Sequence, residues 1–329
     1  MTEVHISFPG IGIDWFTVDK VAFSIGSLSV RWYGIILTLG IVCGVLYAMF
    51  RAKKNEGIPT EDVLDFAIYV VLLAVLGARL YYVLTTLKTD TGEWYYSSLW
   101  DMLAIWEGGI AIYGAIIGGA AGVLLVSKFK KYDKTKLLKV CDMVAPGVML
   151  GQIIGRWGNF VNGEAHGVET TSFLRMGLMG AADTKYPYKE MFYHPTFLYE
   201  SVWNLIGFVL INIFYKKKKY DGQILLAYLA WYGFGRMLIE GLCTDSLYIG
   251  VFRVSQVVGF LCFVICTTLL IYLQFRSKRK QKDAEEYVSV YENLHGSSLR
   301  SARKAAAQNE EEKAAPEEDI FDRAPKRED

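Results

Sequence analysis

The chain gathers its apolar residues into repeated long blocks that carry few charges. Hydrophobic residues make up 53% of its 329 residues. A helix needs about 20 such residues to cross the hydrocarbon core of a bilayer, and several blocks approach that length. Helices suit this task because each one satisfies its own backbone hydrogen bonds in lipid. The sequence therefore predicts an all-α integral membrane protein.

Seven candidate transmembrane spans follow from the positions of these blocks. The fourth is the least apolar, since it contains Asp142, Pro146 and Gln152. It is expected to lie against other helices or beside a cavity. We expect Asp142, near a lysine-rich connection, to pair with a lysine or to cap a helix. The predicted spans are residues 32–50, 63–84, 105–127, 137–155, 196–215, 222–241 and 253–275.

The charges between the spans predict the orientation. Lysine and arginine cluster in every second connection and after the last span, whereas the intervening connections carry few. Basic residues close to span ends stay on the cytoplasmic side of a membrane. The N-terminus is therefore expected outside and the C-terminus in the cytoplasm. The basic clusters are residues 51–54, 128–136, 216–219 and 276–282.

The spans divide the chain into three regions. Residues 1–31 mix apolar with polar side chains, which favours an extracytoplasmic segment along the outer interface. Residues 32–275 form the predicted seven-helix transmembrane domain. Residues 276–329 are charged and rich in Ala and Glu. A segment with so little apolar content cannot build a core, so a disordered cytoplasmic tail is predicted.

Composition and motifs exclude several classes of protein. The formal net charge is +1, so the overall charge does not favour nucleic acid as a partner. The 5 cysteines include no Cys-x-x-Cys, and neither a disulfide framework nor a metal site is expected. There is no Gly-x-Ser-x-Gly nucleophile motif. No cofactor is expected.

A polar, glycine-rich run follows the fourth apolar block. Residues 155–167 read Gly-Arg-Trp-Gly-Asn-Phe-Val-Asn-Gly-Glu-Ala-His-Gly. Ionisable residues at membrane depth are costly and usually functional, and glycine lets a ligand approach the backbone closely. The alternative is a polar turn at the interface, with its arginine extended toward water.

With the predicted orientation, charged side chains from several spans gather in the outer third of the bundle. Tyr232, Arg236 and Glu240 are spaced four apart and therefore share one helical stripe. Guanidinium groups bind phosphate through paired hydrogen bonds, and a phospholipid headgroup is the anion nearest to that depth. The residues predict an enzyme that acts on an anionic phospholipid from the outer leaflet. The charged set is Arg79, Arg156, Arg236, Glu164, Glu200 and Glu240.

Other interpretations of these residues stay open. Arg79, near a helix end, is compatible with a side chain that only extends to the interface, and Glu240 with a simple helix partner of Arg236. A transporter or binder of an anionic lipid or solute is the alternative function. A transporter requires charges in both membrane halves, and the inner half offers mainly Asp65 and Asp142.

The run at residues 155–167 resembles the signature of the prolipoprotein diacylglyceryl transferase family, Gly-Arg-x-Gly-Asn-Phe-x-Asn-x-Glu-x-x-Gly, and every specified position matches. Five further family-like stretches occur in the family's order. The resemblance covers about residues 30–275, and the tail lies outside it. The supporting stretches are Arg31-Trp32-Tyr33-Gly34, Gly77-Ala78-Arg79-Leu80, Trp106-Glu107-Gly108-Gly109, His194-Pro195-Thr196 with Leu198-Tyr199-Glu200, and Tyr232-Gly233-Phe234-Gly235-Arg236 with Glu240.

The resemblance implies a reaction in the bacterial cytoplasmic membrane. The family moves the sn-1,2-diacylglyceryl group of phosphatidylglycerol to the thiol of the lipobox cysteine in a prolipoprotein signal peptide. A thioether forms and glycerol-1-phosphate leaves. The leaving phosphate needs positive charge as the bond breaks, which agrees with arginines near the outer leaflet.

Roles follow by matched position. Arg156 is expected to bind the lipid phosphate, and Arg236 to bind it as well and to stabilise the leaving group. Asn159 and Glu164 are expected to orient Arg156 or the glycerol hydroxyls. The remaining predicted site residues are Asn162, Tyr33 and Arg79 in substrate binding, and Tyr232 and Glu240 in holding Arg236.

One position departs from the family pattern. Where the family has His-Gly-Gly, this chain has Tyr113-Gly114-Ala115. A tyrosyl hydroxyl ordinarily titrates near pH 10, which makes it a poor base at neutral pH. Three possibilities stay open: Tyr113 donates a hydrogen bond to the thiol or headgroup, Glu164 or His166 takes the proton, or the arginines alone favour the thiolate. We favour the last together with a hydrogen bond from Tyr113.

Overall fold

The computed structural model describes most of the chain and shows a mostly helical protein. Trp106 and Glu107 of a family-like stretch, and residues 315–329 of the predicted tail, lie outside the described residues. The described residues are 3–26, 28–88, 94–105, 108–180, 190–244 and 246–314, with side chains up to residue 286 apart from that of residue 28.

Eight α-helices account for most of the described residues. Six helical segments are long and apolar enough to cross a membrane. α7, with 17 residues, is not among them, so six of the seven predicted spans are supported by length and composition. The helices are α1 (Trp32–Arg51), α2 (Thr60–Thr85), α3 (Leu99–Leu103), α4 (Ile112–Phe129), α5 (Lys134–Asn162), α6 (Thr196–Phe214), α7 (Gln223–Ile239) and α8 (Val254–Ala314).

Two helix boundaries differ from prediction for identifiable reasons. α4 begins at Ile112 rather than at 105. Gly108 and Gly109 adopt φ values of 92° and 72°, which a right-handed helix cannot include, so the helix starts only after them. α5 extends past 155 to Asn162, where Gly163 closes it in the left-handed conformation. The polar run is therefore largely helical rather than a loop.

The all-α prediction is wrong in one respect, because several of the described segments outside the spans form β-strands. A four-stranded antiparallel sheet has the order β2-β1-β5-β6, and two hairpins pair β3 with β4 and β7 with β8. The strands are β1 (Glu3–Phe8), β2 (Ile13–Asp19), β3 (Val21–Ile25), β4 (Leu28–Arg31), β5 (Met176–Met179), β6 (Met191–Tyr193), β7 (Tyr248–Ile249) and β8 (Phe252–Arg253).

The sheet joins two distant parts of the chain. Val4 and Ile6 alternate on one face of β1 and are fully buried, with Met176 and Leu178 of β5 in the same cluster. Such alternation is the pattern of a half-buried strand. β1 is stable here because its apolar face is covered by residues that follow α5, and these lie far from it in sequence.

The tail at residues 276–329, for which the sequence predicted disorder, is helical through residue 314, where its description ends. α8 continues through Ala314, and the chain separates into two compact units, Met1–Ile271 and Tyr272–Asp329. Ala, Glu, Lys, Arg and Gln dominate the stretch after residue 275 and all favour helix. Low apolar content argues against a core, but it does not argue against an exposed helix.

Glycines allow the long helices to pack at backbone contact. A Cβ atom on Gly44 of α1 would lie 2.7 Å from the carbonyl oxygen of Gly147 on α5. One on Gly77 of α2 would lie 2.4 Å from the carbonyl oxygen of Gly114 on α4. In lipid, helix association relies on this close packing, because the lipid tails are as apolar as the helix surfaces and the hydrophobic effect does not bring helices together.

Gly44→Ala is expected to destabilise the protein by about 3 kcal/mol, because the new methyl meets a backbone carbonyl that cannot move aside. Gly34 lies on the same helix with no atom within 4 Å of its Cβ position. Gly34→Ala is therefore the matched control and should be neutral or stabilising by about 1 kcal/mol. Thermal unfolding in detergent measures both. Equal stability of the two variants would contradict the close α1–α5 contact.

A buried ion network lies at the opposite end of the bundle from residues 155–167. Asp142 is fully buried and accepts hydrogen bonds from Lys218 (3.2 Å) and from the backbone N–H groups of Gly222 (2.8 Å) and Leu225 (2.9 Å). Both expectations for Asp142 are confirmed, since it pairs with a lysine and caps α7. Burial lowers the pKa of Lys218, but Glu56 and Asp142 raise that pKa by more.

Candidate active site

A cavity of about 730 Å³ lies between α1, α2, α4, α5, α7 and the start of α8. Apolar side chains and glycines line most of it, down to Ala48, Val63 and Phe66. Hydrogen-bonding side chains concentrate toward one end. They are Tyr33, Tyr113, Gln152, Arg156, Asn159, Tyr232, Arg236 and Ser255. The cavity thus suits a ligand with a long apolar part and a polar head.

Two arginines at the polar end share one carboxylate. Arg156 of α5 and Arg236 of α7 both form ion pairs with Glu200 of α6, which is nearly fully buried. Glu240 binds the other side of Arg236 at 2.5 Å. Tyr232, which the sequence predicted to hold Arg236, lies four residues before it on α7 and lines the same cavity. Each buried charge is therefore compensated.

The helix contacts explain why these charges meet. Trp203 of α6 and Trp231 of α7 stack with ring centroids 4.4 Å apart, and each indole N–H donates to the other's carbonyl oxygen at 3.0 Å. This reciprocal pair sets the register of the two helices, so that Arg236 faces Glu200. The Thr196 hydroxyl, at the start of α6, donates to the Ala165 carbonyl at 2.6 Å and attaches α6 to the segment after α5.

The two arginines keep part of their surface open. Their side chains are 22% and 21% exposed, and both residues line the cavity. A guanidinium has five N–H donors, and the carboxylates take only some of them. The remaining donors can bind an anion that enters the polar end of the cavity.

The end of α5 forms a second polar cluster beside the arginines. Glu164 accepts hydrogen bonds from the amides of Asn159 and Asn162, each at 3.2 Å. Of these three predicted residues only Asn159 lines the cavity. The Tyr33 ring packs on Gly158, where a Cβ atom added to the glycine would lie 2.8 Å from the ring. The structure thus places Glu164 behind Asn159, as its hydrogen-bond partner.

Tyr113 lies on the cavity wall near the start of α4. Its hydroxyl is 3.1 Å from the Ser255 hydroxyl of α8, and both residues line the cavity. His166, the alternative proton acceptor, is buried instead against Tyr193, with ring centroids 4.2 Å apart, and does not line the cavity. Ser255 was not identified from the sequence, because a single serine in an apolar block carries no recognisable signal.

Arg79 is not part of the arginine pair and does not line this cavity. Its guanidinium donates to four backbone carbonyls, those of Asp101 (2.6 Å), Met102 (2.8 Å), Gly108 (2.6 Å) and Gly109 (2.9 Å). The side chain is buried and neither extends to water nor faces the predicted lipid site. The predicted cluster of three arginines is therefore corrected to two, with Arg79 holding the connection that leads into α4.

Among the residues that the structure describes, no group of three His, Cys, Asp or Glu side chains is arranged to hold a metal ion.

Glu200 is the central residue that the sequence placed in the outer cluster without assigning it a role. Its position between two arginines depends on three helices, and spacing within one helix cannot reveal it.

Comparison with known proteins identifies the family of this chain. The family model described as prolipoprotein diacylglyceryl transferase matches residues 20–272. The phosphatidylglycerol–prolipoprotein diacylglyceryl transferase of Listeria welshimeri serovar 6b is 42% identical over 266 residues, which cover 79% of this chain and 91% of that protein. The enzyme numbered 1 from Clostridium perfringens strain 13 is 41% identical over 275 residues, 80% of this chain and 98% of the relative.

A third relative, from Clostridium kluyveri, has the same name and is 39% identical over 270 residues, 80% of this chain and 99% of its own. The family model spans α1 to α7, the first part of α8 and every residue that lines the cavity. They confirm the resemblance inferred from residues 155–167, and the chain belongs to the prolipoprotein diacylglyceryl transferase family.

Proposed function

We propose that this protein transfers the diacylglyceryl group of phosphatidylglycerol to the thiol of a prolipoprotein cysteine. One observation carries the proposal: an apolar cavity ends at Arg156 and Arg236, which share Glu200. The cavity accommodates acyl chains, and the arginine pair accommodates the phosphate. The names of the relatives, which are transferases for these two substrates, support it.

In the proposed reaction, the thiolate sulfur of the lipobox cysteine attacks a carbon of the diacylated glycerol, the one that is bonded to a phosphate oxygen. The carbon–sulfur bond forms as the carbon–oxygen bond breaks, and glycerol-1-phosphate leaves with the electron pair. Negative charge grows on the leaving phosphate, where Arg156 and Arg236 stabilise it. Glu200 and Glu240 hold the two guanidinium groups in place before the lipid binds.

The thiol must lose a proton, and a free thiol ordinarily titrates near pH 8.5. The guanidinium N–H donors that Glu200 and Glu240 leave unused can bind the thiolate and favour it over the thiol. The Tyr113 hydroxyl, at 3.1 Å from Ser255, is placed to donate a hydrogen bond to the sulfur or the headgroup. In this proposal the proton passes to water, and no side chain acts as a dedicated base.

Tyr113→Phe is expected to lower kcat/KM by about tenfold, the worth of one hydrogen bond to a charged group, and to leave the pH profile unchanged. Steady-state rates between pH 6 and 9 measure both. Tyr81→Phe is the matched control, because that ring packs on Tyr113 (centroids 6.4 Å apart) but does not line the cavity. Loss in Tyr113→Phe of the acidic limb, in which the rate rises with pH, would instead identify Tyr113 as the base.

We place the site at the outer leaflet of the bacterial cytoplasmic membrane, with the N-terminus outside, the C-terminus in the cytoplasm and α7 completing a seven-helix domain. The basic clusters at residues 51–54, 128–136, 216–219 and 276–282 support this orientation through the positive-inside rule. The arginine pair lies at the helix ends opposite to those clusters.

A transporter of anionic solutes is disfavoured by the cavity wall. Below the polar end the wall is lined by apolar groups such as Val63, Phe66 and Val140, where a permeating anion would have no partner. A conducting path needs polar groups through both membrane halves.

A reconstituted assay tests the function. The purified protein is mixed with phosphatidylglycerol vesicles and a peptide with a lipobox cysteine, and the peptide is examined by mass spectrometry for a diacylglyceryl thioether. A peptide with serine in place of that cysteine is the control. Absence of product from folded protein, across several anionic lipids, would refute the transferase.

A further inference from the structure

One polar side chain interrupts the apolar wall of the cavity below the arginines. Gln152 lies four residues before Arg156 on α5, hence on the same helix face and ~6 Å deeper. The other α5 residues that line the cavity below Arg156 are glycines and valines. A polar side chain among apolar groups needs hydrogen-bond partners, either in the protein or on a ligand. The hydrogen bonds of the Gln152 amide therefore indicate its role.

The amide of Gln152 is only partly satisfied. Its NH₂ group donates to the Tyr228 hydroxyl at 3.1 Å, and Tyr228 is itself buried behind it. Its Oε1 atom is buried and has no hydrogen-bond partner among the described residues. A primary amide offers two donors and an acceptor, and a buried polar group without a partner costs free energy. Tyr228 uses only one of the two amide hydrogens, so the other is available to a ligand that carries an acceptor at this depth.

The lipid of the proposed reaction carries such groups in the right place. With its phosphate at Arg156 and Arg236, the glycerol carbons and their ester linkages extend about one helical turn into the cavity. Ester carbonyl oxygens are acceptors, and one N–H of the Gln152 amide remains to donate to them.

We propose that Gln152, held by Tyr228, binds an ester carbonyl of the diacylglyceryl group and makes the enzyme selective for ester-linked over ether-linked lipids. The inference rests on the proposed function, because it requires the phosphate at the arginine pair. Gln152 acts here as a specificity residue and takes no part in bond breaking.

The test compares two lipids and two enzymes. Diester phosphatidylglycerol and its diether analogue of equal chain length are each assayed with wild type and with Gln152→Met, which keeps the side-chain length but removes the amide. Wild type is expected to prefer the diester by about tenfold in kcat/KM, the upper part of the range for a neutral hydrogen bond. Gln152→Met should lose that preference by slowing only on the diester.

A second variant covers the case in which Gln152→Met fails to fold. Tyr228→Phe leaves Gln152 in place but removes its partner, and the same preference should fall by about threefold. Equal effects of either variant on both lipids, or no preference in wild type, would overturn the inference. A carbonyl of the peptide substrate as the true partner predicts such equal effects, because the peptide is common to both assays. Wild type that uses neither lipid would instead refute the proposed function.

Discussion

Replacement of Arg156 by alanine should lower kcat/KM by about 1000-fold, the upper range for loss of one donor to transition-state charge. Arg156 is the arginine of the signature run, lines the cavity and retains exposed donors. Arg156→Lys keeps the charge but loses the forked geometry that matches a phosphate, and a loss of roughly 100-fold is expected. Initial rates at several concentrations of phosphatidylglycerol, with saturating peptide, measure kcat/KM for the lipid.

The control is Arg175→Ala. Arg175 donates to the Ser172 carbonyl at 3.2 Å and lies over the Phe192 ring, outside the cavity. Its replacement should change the rate by less than about twofold, since it touches no substrate. Full activity of Arg156→Lys would show that a point charge suffices and would remove the paired hydrogen bonds from the mechanism.

Glu200→Gln should affect both stability and activity. The carboxylate of Glu200 lies between Arg156 and Arg236 and is nearly fully buried. The glutamine amide of the variant is neutral and would leave the two guanidinium groups without their shared counter-charge. Its NH₂ group would also place hydrogen-bond donors against the donors of one arginine. Removing one partner of a buried ion pair costs about 3–5 kcal/mol, so the midpoint of thermal unfolding should fall clearly. A rate loss of about 100-fold should accompany it, as the arginines separate.

Two comparisons isolate the role of the shared carboxylate. Glu240→Gln removes a partner from Arg236 alone, and a smaller loss of about tenfold is expected. Glu169 is exposed on the connection between α5 and α6, and Glu169→Gln should match wild type in both measurements. If Glu200→Gln and Glu240→Gln behave alike, Glu200 has no special function as a bridge between the arginines.

These predictions combine residues that the sequence identified with contacts that it did not. Arg156 and Arg236 were recognised from the chain because charge in an apolar block is costly in lipid and thus easily noticed. Arg79 met the same criterion but lies elsewhere, because its donors are taken by four backbone carbonyls. The cost of a buried charge shows that a partner exists, and it does not show which one.

Residues with weaker sequence signals were harder to predict. Gln152 was noticed only as a weakness of the fourth span, and Ser255 was not identified at all. Both are uncharged, and a single hydroxyl or amide in an apolar helix is tolerated for many structural reasons. Their position on the cavity wall is what distinguishes them.

The sequence by itself determined the helical membrane architecture and the positions of most helices, because bilayer thickness and the cost of charge in lipid act on each segment locally. It also indicated the family, because the signature at residues 155–167 is a continuous run. Only the tertiary structure decided that β1 pairs with β5, that Glu200 bridges two arginines and that Arg79 holds a loop. Those contacts join segments far apart in the chain. They depend on the rotation and depth of each helix against its neighbours, which the close packing at Gly44, Gly147 and the paired tryptophans sets.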